Sequence, residues 1–216
     1  MLLIHAADAV LGAPDAPEGS DAVAVSGGAV VAVGPYAELA AAHPSARVRR
    51  WPGLITPGLL NVRAGALLEA AYHPDPREAD ILGTAPLTGD ALAALTMDDT
   101  RWGAGARRGV QRMLSHGTTA VAATFTRPAV RTAVARAGLR VHAPRTPPHG
   151  AAAAPVASDL DPFAAVREWR DAFAGPLTVG GPADLAVFAV RGGAGAGAGS
   201  RCVATVLGGR LVYRSS

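Results

Sequence analysis

Few side chains in this sequence have the chemistry of a reactive or metal-binding group. The histidines are the main candidates. His73 and Asp75 stand two residues apart in the segment YHPDP, and His142 and His149 follow later in the chain. Imidazole and carboxylate groups bind zinc and iron, so these four residues are the candidate ligands if the chain holds a metal. Isolated histidines are more often surface residues or hydrogen-bonded core residues. We therefore expect no metal site.

Arg63 is a second candidate, in the segment Asn61-Val62-Arg63-Ala64-Gly65 that follows an apolar run. Side chains two residues apart on a strand point the same way and can serve one ligand. Gly65 offers no side chain, and Arg63 is a permanent cation that carries only donors and would repel a divalent ion. The guanidinium group could bind a carboxylate or phosphate. The simpler alternative is an ion pair with a nearby Asp or Glu, because a buried charge needs a partner.

The composition excludes several kinds of chemistry. All 20 basic residues are arginines, so the chain has no lysine for a Schiff base, a pyridoxal-phosphate anchor, a P-loop or a carbamylated metal bridge. The net charge of +3 comes with no basic run interleaved with aromatics, and we expect no nucleic-acid partner. Cys202 is the only cysteine and is expected in the core. No apolar segment reaches membrane-spanning length, which favours a cytoplasmic protein without a membrane partner.

Short strands separated by turns are predicted in the first 58 residues. Ser26-Gly27-Gly28 joins two runs rich in valine and predicts a hairpin. YAELAAAHP predicts one short helix, and LITPGLLNV predicts a buried strand, a Pro-Gly turn and a second strand. The C-terminal part is again β-rich, with a hairpin turn at Gly208-Gly209 and a glycine-rich hairpin tip, GGAGAGAGS, before it.

A strand–helix–strand order is predicted in the middle of the chain. The helix DDTRWGAGARRGVQRML begins at an Asp98 or Asp99 cap, and the strand TTAVAATF follows it. The helix RPAVRTAVARAG ends at Gly138 and leads to the strand LRVHAP. This order is typical of a parallel α/β unit. A Pro- and Ala-rich linker around residues 144–160 follows, and DPFAAVREWRDAFAG predicts an amphipathic helix.

Three segments, in order, resemble one enzyme family. The segment from DAVAVSGGAVVAVG to GLITPGLLNV resembles the N-terminal part of amidohydrolases of the imidazolonepropionase and aminodeoxyfutalosine-deaminase type. MLSHGTTAV resembles the Gly-Thr-Thr motif of that family's second barrel strand. The C-terminal part resembles the family's closing segment through two motifs, formed by Gly175, Gly180, Ala183, Asp184 and Leu185 and by Gly209, Arg210, Val212 and Tyr213.

The resemblance implies a mixed α+β and α/β fold. Residues 1–58 and 176–216 would form one discontinuous β-sandwich, the composite domain of metal-dependent hydrolases. Residues 59–175 would form an inserted, truncated (β/α) barrel, because a complete barrel needs about 250 residues. In the family the strand after Pro-Gly ends in Asn-x-His-x-His, which holds zinc or iron. Here Arg63 and Gly65 occupy the two histidine positions, so the resemblance implies that the metal cofactor is absent.

A degenerate, non-catalytic relative that acts as a binding or structural partner is therefore expected. A cut-down parallel sheet would leave open strand edges, which favours a homodimer or a complex with a full-length paralogue. The alternative is a hydrolase of non-peptide carbon–nitrogen bonds, such as a cyclic amidohydrolase or an aminofutalosine or aminopurine deaminase. Such an enzyme would need a rebuilt site or one that a partner completes.

Overall fold

The computed structural model describes residues 1–145, 160–189 and 200–215. It is a mixed α/β structure with three sheets in these ranges. The predicted linker lies mostly outside the described residues, as do His149 and nearly all of the predicted hairpin tip. In chain order the strands are β1 Leu3–Ala6, β2 Ala9–Val10, β3 Ala22–Ser26, β4 Ala29–Gly34, β5 Arg47–Arg50, β6 Leu54–Pro57, β7 Leu59–Asn61, β8 Thr118–Ala122, β9 Arg140–His142, β10 Leu185–Ala189, β11 Arg201–Leu207 and β12 Arg210–Arg214.

Six α-helices and three short 3₁₀ helices accompany the described strands. The α-helices are α1 Tyr36–Ala42, α2 Ala64–Glu69, α3 Ala79–Leu82, α4 Gly89–Ala93, α5 Asp99–Leu114 and α6 Pro128–Ala137. The 3₁₀ helices are Pro76–Glu78, Pro162–Ala165 and Trp169–Ala172. None of the helices in the described residues is long and apolar enough to cross a membrane.

Two of the sheets pack against each other through one apolar core. The first has the strand order β4-β3-β1-β5, and the second has the order β12-β11-β10-β6-β2. Val23 and Val30 of the first sheet share a buried cluster with Ile55, Val187 and Val206 of the second. In the second sheet β10 pairs with β6, so distant parts of the sequence form one sheet.

Both predicted glycine hairpins are confirmed. Gly27 and Gly28 join β3 to β4 with φ of 59° and 88°, and Gly208 and Gly209 join β11 to β12 with φ of 55° and 74°. A two-residue turn that matches the twist of its strands needs positive φ at both residues. Glycine adopts these angles without a steric penalty, and so the sequence signal is reliable.

The third sheet is parallel, with the order β7-β8-β9. The helices α5 and α6 cover one of its faces, where Val121 of β8 packs with Val110, Met113 and Val134. As predicted, the side chain of Asp98 caps α5 by accepting a hydrogen bond from the Arg101 amide, and α6 ends at Gly138. The predicted parallel strand–helix–strand unit is therefore confirmed.

The amphipathic helix predicted over DPFAAVREWRDAFAG is wrong. Two 3₁₀ helices, Pro162–Ala165 and Trp169–Ala172, stand there instead, with Val166 in an extended conformation between them. Phe163 packs on Phe188 with ring centroids 5.1 Å apart, and Phe173 bridges to Leu59. These contacts with β7 and β10 take the chain out of helical geometry, since tertiary burial can override local propensity.

Other differences arise where short segments change sheets. The segment LLIHAADAVL contributes to two sheets, because β1 belongs to the first sheet and β2 to the second. Pro57-Gly58 is not a reversing turn, since it carries the chain from β6 in the second sheet to β7 in the parallel sheet. The chain that follows Asn61 forms α2, where an extension of the strand was expected.

Two glycines of α5 allow the preceding segment to approach the helix closely. A Cβ atom at Gly109 would lie 2.6 Å from Leu68 Cδ2 and 2.7 Å from His73 Nε2, and one at Gly105 would lie 2.8 Å from Tyr72 Cδ2. A Cβ at Gly103 would meet nothing closer than 3.6 Å. The glycines at positions 105 and 109 thus form the surface on which Tyr72 and His73 pack.

We predict that Gly109→Ala destabilises the protein although alanine is the better helix former. Overpacking costs about 1–3 kcal/mol and exceeds the helix-propensity gain of at most about 1 kcal/mol. Gly103→Ala is the matched control on the same helix and should leave the free energy of unfolding unchanged or raise it by up to about 1 kcal/mol. Urea unfolding measures both, and equal stabilities for the two variants would contradict the packing described.

Candidate functional site

A cleft of about 450 Å³ lies at the carboxyl ends of β7 and β8. Ligands of open parallel sheets bind at this edge, because the connecting loops diverge there. The cleft is lined by Val62, Arg63, Gly65, Ala66, Ala122, Ala123, Thr124, Pro144 and Arg145. Of the residues singled out in the sequence, Arg63 and Gly65 reach this cleft.

Arg63 is positioned by the end of β7. The strand stops at Asn61, whose buried side-chain oxygen accepts a hydrogen bond from the Arg63 amide at 2.8 Å. Arg63 then stands at the N-cap of α2, and Gly65 lies in the first turn of that helix. An Asn side chain that bonds the backbone two residues on produces such a turn. Arg63 and Gly65 therefore do not project from a continuous strand, as the sequence pattern suggested.

A second cation of the cleft was missed in the sequence. Arg145 lines the cleft three residues after the end of β9. Its position just beyond a predicted strand of a parallel unit was the signal for a site residue. Arg63 and Arg145 both line the cleft, and guanidinium groups bind carboxylates and phosphates.

His142 ends β9, beside the strand that contributes Ala122 to the cleft. Its main-chain oxygen accepts a hydrogen bond from the Ala123 amide at 3.2 Å, while its Nε2 atom is buried and has no hydrogen-bond partner among the described residues. Among the three candidates within the described residues, His73, Asp75 and His142, it is the one located at the carboxyl edge of the parallel sheet.

His73 is a fully buried residue between α2 and α5. Its Nε2 atom lies 2.8 Å from the main-chain oxygen of Leu67, so Nε2 carries the proton, and Nδ1 has no partner. Burial lowers the pKa of His73 to about 4, and the nearby charges of Arg112 and Arg108 act in the same direction. The ring is neutral at pH 7.

Asp75 acts in the local structure that follows His73. Its side chain accepts from the Arg77 amide at the start of the 3₁₀ helix and lies 3.2 Å from the Arg108 guanidinium group. Glu78 completes the capping box by accepting from the Asp75 amide, and it also accepts from the Tyr72 hydroxyl. The Asp75 side chain thus caps a helix, while the His73 ring packs in the core, and Arg108 donates to the Asp75 carboxylate and to the main-chain oxygen of His73.

The residues at the carboxyl edge do not fit a zinc or iron ion. Such ions need several neutral imidazole or anionic ligands around one point. In the described ranges no three residues among His, Cys, Asp and Glu form such a group. Arg63 and Arg145 are both cations. Burial raises the pKa of the Cys202 thiol to about 11, so it is not a thiolate ligand.

Residues 22–46 match the model of one protein family, the bacterial imidazolonepropionase-like composite domain. The imidazolonepropionase-like resemblance is confirmed. The matched segment comprises β3, the Gly27-Gly28 hairpin, β4 and α1. No curated protein matches the chain.

Solved structures with which the chain aligns include amidohydrolase-superfamily enzymes. A zinc-bound adenosine deaminase from Xanthomonas campestris aligns with 21% identity and a TM-score of 0.41, over 64% of this chain and 32% of that protein. An aminofutalosine deaminase from Helicobacter pylori has 14% identity and a TM-score of 0.42, over 65% and 32%. The A. niger ochratoxinase has 19% identity and a TM-score of 0.43, over 66% and 31%. The chain spans about a third of each.

We predict that the free energy of unfolding falls as the pH falls from about 6.5 to about 4. Burial lowers the pKa of His5 to about 4, as it does for His73, so the unfolded chain binds protons in this range that the folded chain does not. Above pH 6.5 neither state binds them and the effect vanishes. Between about pH 7.5 and about pH 5 each histidine should cost about 2 kcal/mol.

Urea unfolding at these two pH values measures the effect. The variant His73→Gln carries no titratable ring and should lose about half of the fall in stability. His5→Gln should do the same, since its side-chain oxygen can still accept the hydrogen bond that Trp51 Nε1 donates to His5 at 3.0 Å. A wild-type protein that is equally stable at both pH values would contradict the buried neutral histidines.

Proposed function

We propose that the chain is a composite β-sandwich with a truncated barrel inserted into it. Residues 1–58 and 176–216 form the sandwich, and residues 59–175 form the partial (β/α) barrel, with the Pro- and Ala-rich linker around 144–160. The pairing of β10 with β6 and the apolar core shared by the two sheets support the sandwich. The parallel order β7-β8-β9, with α5 and α6 on one face, supports the barrel segment.

The function that the geometry supports best is that of a non-catalytic, imidazolonepropionase-like relative of the amidohydrolases that binds a partner. The chemistry of the carboxyl-edge cleft carries this proposal. Arg63 and Arg145 line the cleft where a metallohydrolase would gather its metal ligands. The cleft suits an anionic group, such as an Asp or Glu side chain of a partner or a bound carboxylate. With its one cysteine buried and unpaired, the protein suits the reducing cytoplasm.

The edge of the parallel sheet is the proposed contact surface. Within the described ranges β9 has a neighbouring strand on one side only. Val141 at its centre is 55% exposed, while the equivalent residue of the next strand, Val121, is completely buried. An exposed edge with an apolar residue is a template for pairing with another strand. A second copy of the chain is the proposed occupant, because β9 can pair with itself about a two-fold axis; a full-length paralogue is the other.

We predict that the protein forms a dimer and that Val141→Asp weakens it by at least about tenfold in Kd. The added charge would face its own copy across a two-fold axis, and like charges across strands are unfavourable. Val179→Asp is the matched control, since Val179 is 68% exposed and lies in a turn, where it has no strand edge to pair with another chain. Sedimentation equilibrium over a range of concentrations measures both variants and the wild type.

A wild-type mass of one chain at all concentrations would overturn the homodimer. Equal weakening by Val141→Asp and Val179→Asp would show that the contact lies elsewhere. If the wild type is monomeric but a full-length amidohydrolase paralogue binds it and Val141→Asp abolishes that complex, the paralogue is the occupant.

We predict that protein purified without an affinity tag contains well under one zinc or iron ion per chain. The reason is the donor set of the cleft, in which Arg63 and Gly65 stand at the two positions where the family has histidine ligands. Elemental analysis measures the metal content. If the wild type contains a stoichiometric ion and the variant His142→Ala retains it, other residues must bind that ion. An ion lost in that variant would contradict the non-catalytic proposal directly.

A hydrolase of non-peptide carbon–nitrogen bonds is the second candidate function. The unpartnered, buried Nε2 atom of His142 at the carboxyl end of β9 favours it, because such an atom is free to bind a metal or a substrate. A partner chain would have to supply the remaining ligands. Hydrolysis of a cyclic amide or deamination of an aminopurine by the dimer, and its loss in His142→Ala, would establish this function.

A further inference from the structure

A second cationic surface, the arginine groove, lies at the opposite end of the parallel sheet. It is a groove of about 680 Å³ whose lining includes Arg107, Arg136, Arg140 and Arg210, with Leu114 and Leu207 among its apolar residues. The carboxyl-edge cleft with Arg63 is at the other ends of the same strands. The two sites share no lining residue.

The four arginines come from four different elements. Arg107 lies on α5, Arg136 in the last turn of α6, Arg140 is the first residue of β9, and Arg210 is the first residue of β12. Gly138 ends α6 with φ of 78° and turns the chain into β9. These four residues span more than a hundred positions of the sequence, and the tertiary structure brings them to one groove.

The charge of the groove is not neutralised by neighbouring carboxylates. Asp184 is its one acidic lining residue, and both of its oxygens are already used. Oδ1 accepts from the Gly208 amide at 2.7 Å, and Oδ2 lies 2.8 Å from Arg140 Nε. Within the described part of the chain no Asp or Glu lies at ion-pair distance from Arg107, Arg136 or Arg210. Arg107, Arg136 and Arg210 thus line the groove in addition to the one ion pair.

The groove also offers an apolar surface of the size that small ligands use. Val212 is its exposed apolar side chain, with 37% of its surface accessible, and Val110, Leu114, Ala133 and Leu207 are largely buried lining residues. Small-molecule sites have volumes of about 300–1,000 Å³ and combine an apolar lining with a few polar groups. The arrangement matches a ligand with an anionic group at one end and an apolar body.

We propose that the arginine groove binds a small molecule that carries a phosphate or carboxylate group on an apolar body. Guanidinium groups donate paired hydrogen bonds to the oxygens of either anion. The apolar body lies on the leucine and valine side chains, and its burial adds to the binding free energy. The alternative role for Arg136 is local, because a cation in the last turn of α6 stabilises the C-terminal end of the helix dipole. The binding measurements distinguish this role from ligand binding.

The probes are 1-naphthyl phosphate, 1-naphthoate and the neutral compound 1-naphthol, titrated by isothermal calorimetry. A saturable Kd on the order of 0.1–1 mM is expected for an anionic probe of this size. Naphthol should bind at least about tenfold more weakly, and added salt should weaken the anionic probes. The stronger of the two anionic probes identifies the preferred head group.

The double variant Arg136→Gln/Arg210→Gln should weaken the anionic probes by at least about tenfold. Both side chains are exposed, so the fold should persist, and a thermal melt checks this. Arg47→Gln/Arg167→Gln removes the same charge from exposed positions outside the groove and should change Kd by less than about twofold. Absence of saturable binding, equal losses in both double variants, or naphthol binding as tightly as its phosphate would overturn the proposal.

Discussion

The arrangement of the sheets depends on the hydrogen bonds and the ion pair that Asp184 makes. Asp184 is 5% exposed at the start of β10, and its carboxylate accepts from the Gly208 amide in the β11–β12 hairpin turn. Its other oxygen pairs with Arg140 of the parallel sheet. The main-chain oxygen of Asp184 accepts from the Gly58 amide, where the chain passes from β6 to β7. One residue thus connects three places at the boundary between the second sheet and the parallel sheet.

Close backbone contacts at the same boundary explain why glycine recurs there. A Cβ atom at Gly58 would overlap the side chain of Thr119 in β8. A Cβ at Gly117 would lie 2.9 Å from Ala186 and from the Phe188 ring of β10. These glycines let the parallel sheet approach the second sheet closely, and Phe188 can then pack with Leu59 in a common cluster. The second sheet and the parallel sheet thus share a continuous interior.

Arginine determines the electrostatics at both ends of the parallel sheet. Arg63 and Arg145 line the cleft at the carboxyl edge, and Arg107, Arg136 and Arg210 line the groove at the amino end. The guanidinium group stays charged at every physiological pH. It binds oxyanions and repels metal cations. Burial is the main reason that His5 and His73 stay neutral, because it lowers the pKa of each to about 4, and the charges of nearby arginines act in the same direction. A metal centre would require the opposite charge balance.

Local structure was predictable from the sequence wherever a turn or a helix end requires a particular residue type. The Gly27-Gly28 and Gly208-Gly209 hairpins, the Asp98 cap and the Gly138 helix end were all predictable, because positive φ and orphan amide groups demand particular residues. The family resemblance, also visible in the sequence, is confirmed for residues 22–46. The chemistry of Arg63 was likewise readable as donor-only and cationic.

Which of these residues come into contact depends on the tertiary structure. The aromatic residues Phe163 and Phe173 had the spacing of a helix, but their burial against Phe188 and Leu59 produced two short 3₁₀ helices. His73 was not identifiable as a fully buried residue, because its burial depends on Gly109 of a helix more than thirty positions later. The arginine groove was invisible for the same reason. Contacts between distant segments depend on packing, which the local pattern of a sequence does not encode.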